Sequence, residues 1–489
     1  MSAAASDGTQ DIAALIQSSA VELVRFAWCD LHGMLRGKTL TAAAAIKALR
    51  TGVGMVSTLM LKDTSDRTAF KVFEPGIGAE LPGFECANNL LLMPVPGSYQ
   101  VLPWADKTGW LQCQAVFQDG TPVVYDTRRQ LQLALAQLAH KGFGMVCGLE
   151  VEFHIYRLRD PQHGAELDPH DAAWPGPAPA VDLIHPGYNL LSENWFDLAE
   201  APLRIVQHAA QALGLPLSSL EIELGPSQVE AVFEATDALT AADNMVLFRS
   251  AVKQALRRAG YHATFMCRPP FDNIMSSGWH LHQSLLQVKS GSNAFMRDHA
   301  APGTRANEAR HTLSDPGAHY LAGLLEHAAG MTVLCTPTVN GFGRFRPNAL
   351  APQSILWGRD NRGAMLRVIG AASDAATRIE NRLGEPAANP YLYIAAQIYA
   401  GLDGIAHKRV PPLATEAPYA DAGVNNGSAR IPATLGDAIA ALQVDSAMQS
   451  GFGADFVRYY SRIKLQEQQR FDAAEDKLEF QRREYFSRI

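Results

Sequence analysis

Gly148-Leu149-Glu150-Val151-Glu152-Phe153-His154-Ile155-Tyr156 is the stretch on which the fold and the chemistry of the chain both turn. Its β-branched and aromatic residues, with no breaker after the opening glycine, predict a strand. Side chains alternate along a strand, so Glu150 and Glu152 share one face, roughly 7 Å apart at Cα. Two carboxylates side by side among apolar neighbours repel each other and are costly to bury. Either that face is open to water, or a divalent cation converts the repulsion into coordination. Three further segments with a similar pattern favour the cation.

Residues 220–224 read as a short strand, followed by the tight turn Gly225-Pro226-Ser227 and then Gln228-Val229-Glu230. The turn can bring Glu223 and Glu230 to one pocket, with the Gln228 amide between them; surface carboxylates would show the same spacing. In Gly278-Trp279-His280-Leu281-His282-Gln283-Ser284-Leu285, His280 and His282 fall on one strand face, as packed histidines or as ligands. Arg378-Ile379-Glu380-Asn381-Arg382 aligns Arg378, Glu380 and Arg382, as an exposed ion ladder or as a site. Arg344, Arg346, Arg362 and Arg367 add guanidiniums nearby in sequence. Carboxylates, imidazoles and arginines in this mixture suit anionic substrates gripped by forks, with metal ions between them. No Walker A, GxGxxG or GxSxG sequence is present, so the usual phosphate loops and the serine nucleophile elbow are unsupported.

The 489 residues suffice for two domains, and 47% hydrophobic with 19% charged residues describes an ordinary globular protein. A net charge of −7 leaves no basic footprint for nucleic acid. Six cysteines without CxxC spacing argue against a disulfide framework or zinc site and fit a reducing cytoplasm. No apolar run reaches a membrane span and no signal segment opens the chain, which predicts a cytoplasmic protein without membrane contact.

Residues 1–10 are small and polar and predict disorder, followed by a short amphipathic helix over 11–20. Residues 21–29 and 34–40 predict a hairpin turning at Asp30-Leu31-His32-Gly33, and 42–50 a helix closed by Gly52. Apolar runs at 90–95 and 110–117 suit a small mixed sheet. Asp126 is placed to cap a helix over 127–141, so the domain boundary is set at 124/125: 1–124 and 125–489. Beyond it, strands and helices without βαβ rhythm predict an α+β domain with a mostly antiparallel sheet. Residues 161–180 and 290–315 read as surface loops. The tail 454–489 reads as a solvated helix packed on a surface through Phe456, Tyr459, Tyr460 and Ile463.

Taken in order, GLEVEF, ELGPSQVE, GWHLHQSL, DNRGAMLR and RIENRLGEPAANPYLYIAA, with the hairpin over 26–39, make the chain similar to the glutamine synthetases over nearly its full length. The resemblance implies an N-terminal β-grasp domain before a catalytic domain, and homo-oligomeric rings stacked in pairs with sites between neighbours. It implies ATP, Mg2+ or Mn2+, and glutamate activated as γ-glutamyl phosphate for attack by an amine. By matching position, Glu152, Glu223 and Glu230 would hold one ion, and Glu150, His280 and Glu380 the other. Arg362, Arg367 and Arg382 would stabilise the transferring phosphoryl group, Arg344 would grip glutamate, and His282 and Ser284 would lie near the nucleotide. Asp30 matches the acidic residue that reaches the neighbouring subunit's site.

Two positions depart from the resemblance. Leu350 stands where glutamine synthetases carry a flap glutamate, and their Asp-Gly-Ser-Ser signature is absent from 55–61. Losing both anions removes what would bind a small cation. The implied activity is therefore that of the γ-glutamyl–amine ligase branch, with aromatic or small alkyl amines favoured over polyamines, and both over ammonia. A glutamylpolyamine synthetase, an ordinary glutamine synthetase and a non-catalytic ring protein are the alternatives. Trp28 and Trp357 are candidate aromatic walls or core residues.

Overall fold

The computed structural model describes residues 3–160, 169–346, 349–420 and 428–489. It contains two sheets. The first is built from β1 (Leu23–Cys29), β2 (Leu35–Thr41), β3 (Val53–Val56), β4 (Asn89–Pro94), β5 (Gln100–Val101) and β6 (Thr108–Val116). Their order is β2-β1-β6-β4-β3, with β5 on β6; β1 and β6 are parallel. The predicted hairpin is β1–β2. Thr41 caps the helix Ala42–Thr51 by accepting from Ala44 N, and Gly52, at φ +72°, ends it. The N-terminus corrects the expectation of disorder over 1–10: a helix runs Ala3–Ser18, and its Ile12 and Ile16 are buried. Residues 1–2 lie outside the described residues.

Asp126 joins the two halves. It caps the helix Thr127–His140 through Arg129 N at 3.0 Å, and its other oxygen accepts from Trp28 Nε1 at 2.8 Å and Ala115 N at 3.0 Å. A cap of this kind is worth about 1 kcal/mol, and here it also fixes the helix to the first sheet.

The second sheet comprises β7 (Phe143–Leu158), β8 (Val181–Leu183), β9 (Leu217–Ile222), β10 (Gln228–Asp237), β11 (Tyr261–Thr264), β12 (Trp279–Gln287), β13 (Trp357–Arg359), β14 (Leu366–Ile369) and β15 (Arg378–Gly384). The order is β13-β14-β15-β12-β7-β10-β9, with β8 and β11 on β7. The sheet is mixed: β13 and β14 pair parallel, whereas the pairs along β7 are antiparallel. β7 is the spine. Its odd residues Cys147, Leu149, Val151, Phe153 and Ile155 are buried, and its even residues Gly148, Glu150 and Glu152 are half-buried on the other face. Phe153 packs with Phe248 of the helix Ala238–Arg258 and with Phe265, so one face is core and the other is free to carry chemistry.

Of the expected loop over 161–180, residues 161–168 lie outside the described residues. The tail differs from a solvated helix. Phe456, Tyr459, Tyr460 and Ile463 are buried as expected, but so are Lys464, Glu467 and Glu484. The charges are tolerated because they are paired: Lys464 with Glu467, and Glu484 with Arg470, Thr64 and Ser65.

Candidate active site

Strand register assembles the site. Glu230 on β10 stands opposite Glu152, and His280 on β12 stands opposite Glu150. His282 pairs with Glu380 on β15, and Glu380 with Arg367 on β14. Glu223 lies just beyond β9, in the turn leading to β10. Glu150, Glu152, Glu223, Glu230, His280 and the arginines 344, 362, 367 and 382 line a cleft of ≈ 560 Å³ on the open face of the second sheet, and Glu380 is buried beside His280. A second hollow beside it shares Glu150 and is lined by His282, Ser284 and Arg378.

Carboxylates here outnumber the cations that could pair with them. Burial and the Glu223 charge push the Glu152 carboxyl up to about 8, and burial with the Glu152 charge pushes Glu230 up to about 10. Burial raises Glu223 as well. Glu150 goes the other way: burial opposes ionisation, but His280 and His282 hold it well below the usual carboxylate range. Its oxygens lie 3.5 Å from His280 Nδ1 and 2.9 Å from His282 Nε2. Burial with the Arg382 charge lowers His280 to about 4, so its imidazole is neutral and able to ligate. Its Nε2 is buried without a hydrogen bond.

This donor set fits divalent ions. Glu150, Glu230 and His280 offer ligand atoms within 4.8 Å of one another, as do Glu150, His282 and Glu380. These trios overlap, without coinciding, with the two sets expected from sequence; Glu152 approaches His280 Nε2 to 3.8 Å.

The arginines form the opposite charge. Glu380, fully buried, takes Arg367 Nη1 at 3.0 Å and also Arg382 Nη1, and despite burial its carboxyl is held low by His280 and Arg382. Arg344 is buried and donates to the Arg382 carbonyl at 2.8 Å. Arg362 is exposed and makes no hydrogen bond to any described residue. Asp30 lies elsewhere: it is buried, and its carboxylate accepts from His32 N at 2.9 Å, Met34 N at 3.0 Å and Arg36 Nε at 2.6 Å.

Neither tryptophan is a wall of the cleft. Trp28 is buried on Asp126, and Trp357 is buried with Nε1 on the Pro412 carbonyl. The cleft's apolar lining instead includes Leu190, Leu191, Leu224, Met275 and Leu350. Sequence reasoning also missed Glu221, which lines the cleft opposite Glu230, although Glu221-Ile222-Glu223 repeats the Glu-x-Glu spacing of the opening stretch. The sequence places the Gln228 amide in the pocket between Glu223 and Glu230; the structure shows it donating to Glu152 and to Ser277, and Ser277 had no sequence signal.

The sequence and the fold have known relatives. Residues 124–483 match the family described as glutamine synthetase, catalytic domain. The chain is 36% identical over 477 residues to a γ-glutamylanilide synthase of Acinetobacter sp, covering 96% of this chain and 92% of that protein. It is 27% identical to a γ-glutamylethanolamide synthetase of Streptomyces coelicolor, covering 96% of this chain and 93% of that one. A solved structure of GmaS in complex with ADP superposes with a TM-score of 0.75 at 27% identity, covering 96% of this chain and 97% of that one.

Proposed function

The chain belongs to the glutamine synthetase family, and we propose that it is a ligase that uses ATP to join the γ-carboxylate of glutamate to an amine other than ammonia. The γ-carboxylate oxygen attacks the terminal phosphorus and ADP leaves. The amine nitrogen then attacks the acyl carbon of the γ-glutamyl phosphate, gives up a proton to solvent, and phosphate departs. Arg344 holds the glutamate carboxylate, and Arg362, Arg367 and Arg382 face the transferring phosphoryl group, where charge neutralisation and positioning do the catalytic work. Mg2+ or Mn2+ held among Glu150, Glu152, Glu223, Glu230, His280 and Glu380 would neutralise the polyphosphate charge. His282 and Ser284, in the adjoining hollow, face the nucleotide.

The observation that carries the choice of acceptor is Leu350. It is 55% exposed and lines the same cleft as the carboxylates and arginines. An alkyl side chain there offers no counter-charge to an ammonium ion. The curated relatives whose names record anilide and ethanolamide products support the reading. We place the catalytic domain at 125–489 and a β-grasp domain at 1–124, in cytoplasmic rings. No helix among the described residues is long and apolar enough to cross a membrane.

The test is ATP- and glutamate-dependent phosphate release with ammonium, aniline, small alkylamines and putrescine under one set of conditions. We expect aniline or an alkylamine to give the highest kcat/KM. Ammonium as the best acceptor would make the chain an ordinary glutamine synthetase.

A further inference from the structure

Exposed leucines at the mouth of a charged cleft call for a reason, because each leaves apolar surface in water. Leu190 is 50% exposed, Leu191 62% and Leu350 55%, and all three line the cleft that holds the acidic row. Two of them also sit in strained backbone: Leu191 has φ +56° and Leu350 φ +51°. A bulky residue rarely enters this left-handed region, and where it does the surrounding structure must hold it there.

The hold is visible at both places. Leu191 N donates to the Ile222 carbonyl at 3.0 Å, and Trp195 Nε1 donates to the Gly187 carbonyl at 3.0 Å. A Cβ on Gly187, at φ +75°, would meet Pro226 N at 2.4 Å, so the segment before Leu190 is pressed onto the turn that follows Glu223. The Leu350 carbonyl accepts from Arg382 Nη2 at 3.2 Å, and Arg382 also binds Glu380. One leucine pair is thus fixed to the turn beside a carboxylate of the metal set, and the third leucine to an arginine of the phosphoryl set.

We infer that Leu190, Leu191 and Leu350 form an apolar shelf that binds the non-reacting alkyl or aryl group of the acceptor amine and so sets its size. The inference rests on the reading of the chain as an amine ligase and names the residues that would select the amine. Glu221 is the competing feature, since it lines the same cleft and could partner a second ammonium; one of its oxygens accepts from Ser219 Oγ at 2.8 Å.

The experiment measures kcat/KM for methyl-, ethyl-, propyl- and butylamine, aniline, and putrescine in the full-length protein, with KM for glutamate and ATP determined alongside. In the wild-type protein each added methylene should raise kcat/KM about two- to fourfold, the span expected for partial to full burial of one CH2 group. Leu190→Ala, Leu191→Gly and Leu350→Gly should flatten that dependence. The two glycine variants relieve the positive φ, so their Tm should stay level or rise while selectivity falls. A dependence on chain length that survives all three substitutions overturns the shelf and leaves the ligase reading standing. Putrescine as the best acceptor, with its advantage lost in Glu221→Gln, also overturns it, because the acceptor's tail would then be cationic. Ammonium as the best acceptor, with no rise along the series, overturns the reading that the acceptor is an amine other than ammonia.

Discussion

Gln228 shows how one side chain would prepare the proposed metal set. Its Nε2 donates to Glu152 Oε2 at 2.9 Å and to Ser277 Oγ at 3.0 Å, while its Oε1 accepts from Gly225 N at 2.8 Å. Gly278 N occupies the same Glu152 oxygen at 3.0 Å, which leaves Oε1 to face the cleft. Outer partners of this kind are typically worth about 10- to 100-fold in metal affinity. Gln228→Ala should therefore raise the Mn2+ concentration for half-maximal activity by about that factor, with kcat recovering at saturating metal. An unchanged metal requirement would show that Glu152 needs no such support. Glu380→Gln keeps the shape and removes the charge between Arg367 and Arg382. Phosphate release should fall by about 100-fold or more, with the fold retained by circular dichroism. The carboxylate pairs were legible because strand periodicity is local. The turn at 225–227 places Gln228 in the pocket from sequence, but its contacts with Glu152 and Ser277 depend on the register between strands, which the sequence does not display.

At the scale of elements, β7 was recognisable, but its sixteen residues exceed the nine that the sequence suggested, because partners on both sides extend the ladder past Gly144 and Gly148. The tail misled for a related reason: its charges read as solvated until their partners on distant elements are known. The same kind of long-range pairing gives a pH prediction. His327 sits between the helices Asp315–Glu326 and Ala328–Cys335, with Nε2 2.9 Å from Asp403 on the helix Pro390–Ala406 and Nδ1 3.0 Å from Asp445, which caps the helix Ser446–Phe452. Burial opposes the imidazolium, but the two aspartates win and raise its pKa; Arg409 and His407 also face Asp403. Because the folded pKa lies above the unfolded value of about 6.5, this stability is fully present below about pH 6.5 and is lost as pH rises through the folded pKa. The Tm advantage of wild type over His327→Gln should be largest near pH 6 and should shrink toward pH 9. An advantage independent of pH would mean that the histidine is neutral in the fold.

For the whole molecule, the order of motifs and the two-sheet plan were readable from the residues, while assembly came only from the resemblance, since a single chain carries no record of its neighbours beyond surface chemistry. Asp30 is where this matters. Within its own chain the carboxylate shapes the β1–β2 turn and is tied to Arg36, with no place in the cleft lining. In the proposed ring it would serve the site of the adjacent subunit, whose Arg362 stands exposed and without a hydrogen bond to any described residue. Asp30→Asn preserves the oxygen that accepts from His32 N and Met34 N, so the turn should survive, and each of Asp30→Asn and Arg362→Ala should be nearly inactive alone. In a ring with heterologous contacts, a site takes its Arg362 from one subunit and its Asp30 from the next. Random co-assembly of equal amounts should then restore about a quarter of the sites to wild-type composition. Phosphate release from dissociated and reassembled mixtures, with mixing verified by differently tagged subunits, measures the recovery. No recovery in truly mixed rings would confine Asp30 to the turn it builds in its own chain.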